Sequence, residues 1–122
     1  MVAPARAAGR EFHRGDIVRV SLEPIKGHEQ GGSRPALVIS TLKFNCSGDV
    51  LVAPITSGGD HSRFRGFAVD LAQTSCETKG FILVNKIRML DLEARNAVLI
   101  DQAPTFIVDD VLARLRAILS RT

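Results

Sequence analysis

The sequence predicts a mainly β protein with a C-terminal helix, folded as a small antiparallel barrel. From Gly15 onward, short apolar segments are punctuated by Gly, Pro, Ser and Asp, which is the pattern of strands and turns. The last stretch changes period: Ile107, Val108, Val111, Leu112, Leu115, Ile118 and Leu119 recur at helical spacing. Many short strands and one terminal helix suit a sheet folded on itself with the helix packed against it.

Residues 16–22 alternate and read as the first strand, which Pro24 ends. Residues 26–33 form a polar, glycine-rich loop. Residues 36–40 are a short apolar run, read as a strand buried on both faces. Residues 50–55 make a third strand, in which Pro54 suggests an edge or a bulge because proline cannot donate to the ladder. Residues 56–60 read as a turn, 67–71 and 81–84 as two more strands, and 97–100 as a short sixth. In the helix Thr105 is the candidate N-cap. Asp109 and Asp110 come early and Arg114, Arg116 and Arg121 late, an order that suits the helix dipole.

A chain of 122 residues makes one domain the expectation. Residues 1–13, rich in Ala and Arg, read as a flexible leader, and 14–122 as a single domain. Hydrophobic residues make up 45% and charged residues 24%, which argues against disorder. With six Phe and no Trp or Tyr, a nucleic-acid surface built on rows of stacked aromatics is not expected. The net charge of +3 permits a phosphate-bearing partner without demanding one. Cys46 and Cys76 form no C-x-x-C pair and read as buried or half-buried free thiols of a reducing compartment. No apolar stretch is long enough for a signal peptide or a membrane span, so a cytoplasmic protein with no membrane partner is expected.

No P-loop, dinucleotide turn, zincin helix or nucleophile elbow is present. His28-Glu29 lacks the second His of a metal helix, and neither a metal nor a cofactor is expected. What remains is a polar set on loops around the barrel: His28, Glu29, Gln30, Arg34, Thr56, Ser57, Asn85, Lys86 and Arg88. Such groups suffice to cut RNA. The ribose 2′-OH already sits beside the phosphorus, so the protein need only align it, move a proton and stabilise the charged phosphorane.

The residues also carry a resemblance. Arg14-Gly15-Asp16-Ile17-Val18, followed by Gly27-His28-Glu29-Gln30-Gly31-Gly32-Ser33-Arg34-Pro35-Ala36-Leu37-Val38, resembles the opening of the MazF/PemK toxins. Val52-Ala53-Pro54-Ile55-Thr56-Ser57-Gly58-Gly59 is similar to their second motif, and 83–91 is most similar to the ChpB branch. The resemblance implies a CcdB-like, SH3-like barrel and a homodimer. It also implies a type II toxin that cleaves single-stranded RNA (mRNA) at specific sequences and is neutralised by a cognate antitoxin. It places Arg34 and Thr56 at the scissile phosphate, with His28 and Glu29 as further catalytic candidates and Gln30, Ser57, Asn85, Lys86 and Arg88 as substrate contacts. PemK-type toxins carry a catalytic Arg and Asp where this chain has Leu83 and Asn85, which moves the weight to Arg34 and Thr56.

Each residue also has an ordinary structural reading. His28 and Glu29 suit a solvated loop, Arg34 an exposed surface, Thr56 and Ser57 the closing of a turn. Asn85 suits strand-end backbone groups, and Lys86 and Arg88 a solvated face. Two other functions stay open on the sequence: a CcdB-like gyrase-poisoning toxin and a non-catalytic RNA-binding barrel.

Overall fold

β1 (Asp16–Ser21) starts at a turn whose partners are distant in sequence. Gly15 adopts φ 99°, its amide donates to the Val38 carbonyl at 2.9 Å, and its carbonyl accepts from the Ala103 amide at 2.8 Å. The next residue, Asp16, is fully buried and accepts from the His13 amide at 2.8 Å and from Gln102 Nε2 at 3.0 Å. Arg14 Nε donates to the Ile39 carbonyl at 2.6 Å. The Arg-Gly-Asp opening is therefore a structural clamp on β1 and its neighbours. The computed structural model describes residues 11–22, 32–57 and 66–121.

After β1 come β2 (Ser33–Val38), α1 (Leu42–Asn45), β3 (Val50–Thr56), β4 (Ala68–Asp70), β5 (Phe81–Leu83), a 3-10 turn (Val84–Lys86), β6 (Arg88–Leu90), β7 (Val98–Gln102) and α2 (Thr105–Leu119). All pairings are antiparallel and join seven strands in the order β4-β5-β3-β2-β1-β7, with β6 also on β3. The mainly β architecture with a terminal helix is as the sequence predicts. No pairing joins β4 to β7 among the described residues, so the sheet is open and only barrel-like.

Both faces of the central strands are buried, and strand alternation shows how. Ile17, Leu37, Ile39, Ala53 and Ile55 pack on one face with Ile107, Val111 and Leu115 of α2. Their neighbours Val18, Val20, Ala36, Val38, Val50 and Val52 pack on the other with Phe12, Leu90 and Leu92. The second strand is thus buried on both sides, as its apolar run predicts. Phe12, which the sequence places at the end of a leader, is buried in this second cluster.

Pro54 marks neither an edge nor a bulge. β3 pairs with three strands. The Ile39 amide donates to Leu51, so odd-numbered amides of β3 face β2 and the position of Pro54 faces the opposite flank. There the partner changes from β6, at Val52–Arg88, to β5, at Ile55–Ile82, and no donor is needed between them.

Thr105 is not the N-cap of α2. Pro104 holds that position in an extended conformation, without a side-chain cap, and Thr105 is the first helical residue. The helix buries Ile107, Val111 and Leu115, one per turn. Arg114 ties it down, pairing with Asp110 at 2.8 Å and donating to the Gly66 carbonyl at 2.7 Å. Both cysteines are free, Cys76 buried and Cys46 exposed. No described helix is long and apolar enough to cross a membrane.

Candidate active site

The antiparallel order brings the C-terminal ends of β1 and β3 beside the N-terminal end of β2. At that margin lies a cleft of about 680 Å³ lined by Arg34 and Pro35 of β2, Thr56 of β3, Ser57, Arg19 and the loop residues Glu77, Thr78 and Lys79. Ala36 is paired with Pro54, and the same register continued by two residues sets Arg34 opposite Thr56. A guanidinium and a hydroxyl, 22 positions apart in the chain, therefore face one space. Arg34 is exposed and Thr56 half-buried. Among the described residues the Arg34 side chain has no hydrogen-bond or ion-pair partner.

Thr56 is held in place by a missing side chain. Gly80 lies against it at φ 121°, so close that a Cβ there would stand 2.5 Å from the Thr56 carbonyl oxygen and 3.3 Å from Ser57 Cα. The next residue, Phe81, pairs with Thr56 in the ladder.

The opposite wall is fixed by Asp101. Its carboxylate accepts from the Glu77 amide at 2.9 Å and the Thr78 amide at 3.0 Å, binding the loop to β7. Burial pushes this carboxyl up. The Thr78, Gln102 and Glu77 amides and the Thr78 side chain outweigh that and hold it below the usual carboxylate range. The lowered value means that the clamp stabilises the fold fully above the ordinary carboxylate pKa and is lost only as pH falls through the lowered one. Lys79 is steadied by a 2.9 Å bond from Nζ to the Thr74 carbonyl.

Of the residues singled out in the sequence, the structure gathers Arg34, Thr56 and Ser57 in the cleft. Asn85 and Lys86 sit exposed on the 3-10 turn, away from the cleft lining. Arg88 also lies outside that lining, yet its Nη1 donates at 2.6 Å to the carbonyl of Leu22, which lines the cleft. Leu83 is buried in the core. His28, Glu29, Gln30, His61, Arg63 and Arg65 lie outside the described residues. The sequence reading misses Arg19, Thr78 and Lys79. For Arg19 the sequence offers one weak signal, a single charge in the apolar run 17–20, where the structure exposes it. Among the described residues no group of three or more His, Cys, Asp or Glu could hold a metal ion.

Fold and cleft together define a class: a small antiparallel domain whose site presents cations and hydroxyls from strand ends. Residues 13–119 match the family described as PemK-like, MazF-like toxin of type II toxin-antitoxin system. The chain is 50% identical to the Escherichia coli K12 endoribonuclease toxin ChpB over 109 residues, 88% of this chain and 94% of that one. It is 39% identical to Escherichia coli endoribonuclease PemK, covering 90% of this chain and 84% of that one. Among solved structures it resembles the Deinococcus radiodurans MazF of a MazE–MazF crystal structure, with TM-score 0.78, 31% identity, and 91% and 97% of the two chains covered. The protein belongs to the PemK-like, MazF-like family and is a type II endoribonuclease toxin. That membership favours the ribonuclease reading over gyrase poisoning or a non-catalytic barrel.

Proposed function

We propose that the protein cuts single-stranded RNA at specific sequences without a metal ion, acting in the cytoplasm on mRNA to stop translation and growth, with residues 14–122 as one toxin domain. The observation that carries this reading is the meeting of Arg34 and Thr56 in one cleft. The 2′-OH loses its proton and attacks the adjacent phosphorus. The phosphorane collapses with loss of the 5′-oxygen, which takes up a proton. The products are a 2′,3′-cyclic phosphate and a 5′-hydroxyl. Arg34 stabilises charge on the non-bridging oxygens, and Thr56 holds the phosphate by a hydrogen bond. His28 and Glu29, which precede β2 in the sequence, transfer the protons. Gln30, Ser57, Asn85, Lys86 and Arg88 contact flanking parts of the strand.

Incubation with a long RNA in excess EDTA tests this. Cutting is expected to persist, with single-stranded regions cleaved and duplex regions spared. Activity lost on chelation and restored by magnesium would refute the mechanism.

The active form in this reading is a homodimer. β7 has no partner on its outer edge among the described residues. Its side chains Val98, Leu99 and Ile100 are 58%, 38% and 37% exposed, and Phe106 at the start of α2 is 60% exposed. An apolar, unpaired edge is a liability unless it is covered. Ile100 also lines the cleft, so a partner on this edge would sit against the RNA path. The antitoxin is proposed to lay an acidic segment along that path, as a competitor for its cations. Leu99→Asp should give a monomer by light scattering at micromolar concentration, where the parent chain is a dimer. A monomeric, fully active parent would contradict this picture.

A further inference from the structure

We propose that Arg19 forms a second phosphate subsite in the cleft, taking the RNA phosphate next to the one that Arg34 holds. The inference rests on the ribonuclease reading and goes beyond the residues that reading assigns. Arg19 sits within β1, between Pro35 on β2 and Val98 on β7, so neither cross-strand neighbour can balance its charge. It is exposed where the strand around it is buried. Like that of Arg34, its side chain has no hydrogen-bond or ion-pair partner among the described residues. Two guanidiniums thus line one cleft and repel each other, an arrangement that bound anions relieve.

The register decides between one shared phosphate and two. Arg19 is paired with Pro35, and Val20 with Arg34. The two arginines are therefore one strand and one residue apart, with Cα atoms separated by about 6 Å. Alternation sends their side chains to opposite faces: Arg34 has the parity of Ala36 and Val38, and Arg19 that of Ile17. Both line the cleft, yet they leave opposite faces of the sheet and so are not set to converge on one group. Arg34 and Thr56 take one phosphate, and Arg19 takes the next on the side walled by Thr78 and Lys79. Glu77 is the acidic residue of that wall. Its charge opposes an anion there, which leaves Arg19 and Lys79 as the anion-accepting groups of that wall. Arg19 is a binding residue in this scheme, and the reacting atoms lie at Arg34.

The test uses the full-length protein and a single-stranded RNA oligonucleotide containing a mapped cut site. Kd is measured on the copy with a 2′-deoxy sugar at that site, across salt concentrations, and cleavage on the all-ribose copy. Arg19→Ala is expected to raise Kd and KM on the order of tenfold at physiological salt. Its log–log salt slope should shrink by about 0.7, the value for one single-strand phosphate. Arg19→Lys, which keeps the charge, should restore the slope. An unchanged Kd and slope in Arg19→Ala, or a fall confined to kcat, would overturn the subsite. A parent protein that neither binds nor cuts the RNA would instead remove the ribonuclease reading itself.

Discussion

Arg34→Ala is expected to lower kcat by about a hundredfold to a thousandfold, with RNA binding falling far less. Charge on the non-bridging oxygens grows only as the 2′-oxygen bonds to phosphorus. A guanidinium in the cleft therefore contributes more to the phosphorane than to the ground state. Arg34→Lys should recover little of the loss, because an ammonium cannot present two parallel donors to two oxygens. Single-turnover cleavage beside equilibrium binding separates the two effects. Asn85→Asp is the matched control: it recreates the carboxylate of PemK-type toxins on the exposed 3-10 turn, outside the cleft lining. It should not accelerate cleavage. A gain there, with an unchanged rate in Arg34→Ala, would move the reaction centre to the third motif.

Gly80→Ala is expected to cost about 2–4 kcal/mol of stability and to remove most activity. Two effects add. At φ 121° an L side chain is strained, and the new Cβ would stand 2.5 Å from the Thr56 carbonyl oxygen, a backbone atom that moves only with β3. Either β3 shifts and carries Thr56 with it, or the loop leading to Gly80 moves and takes Thr78 and Lys79 out of the cleft wall. Gly48 supplies the comparison, since it has φ 112° but a Cβ added there would meet nothing within 4 Å. Gly48→Ala therefore carries the backbone strain alone, about 1 kcal/mol. Thermal melts of both variants should differ by several degrees or more, because about 1 kcal/mol moves Tm by a few degrees in a domain of this size. Equal melting temperatures would show that the close approach to Thr56 carries no cost.

The parts of the fold legible in the sequence are those written in local pattern. β1, β2 and β3 announce themselves by apolar runs, and α2 by its stripe through Ile107, Val111 and Leu115. β6 has three residues, Arg88–Leu90, and exists because β3 offers it a partner at Val50–Val52. Nothing in three residues reveals that. α1 is similar: Thr41 Oγ1 accepts from the Phe44 amide at 3.3 Å, and the buried Asn45 reaches the Phe12 carbonyl, 33 residues away, at 2.7 Å. A contact of that range leaves no periodic trace.

The candidate site divides in the same way. Arg34 and Thr56 stand beside proline-marked strand ends inside recognisable motifs, and those motifs suffice to pair them. Thr78 and Lys79 have no motif. They reach the cleft because Asp101 holds their loop by hydrogen bonds spanning 23 and 24 positions. Arg19 reads as a solvated strand residue until the cleft is assembled around it. Asn85, Lys86 and Arg88 group with the site in the sequence as polar residues of the matching segment 83–91, yet the 3-10 turn and β6 carry them outside the cleft lining.

If this cleft breaks RNA by attack of the strand's own 2′-OH, a strand lacking that group at the cut site cannot be cut there. The most direct measurement places a single 2′-deoxy sugar at the mapped cut site of an otherwise all-ribose oligonucleotide, in EDTA, and identifies the ends of every product. No cleavage is expected at the substituted site, with binding retained, and the unmodified strand should give a 2′,3′-cyclic phosphate and a 5′-hydroxyl. Cleavage continuing at the deoxy site, or a 5′-phosphate on the downstream product, would contradict it.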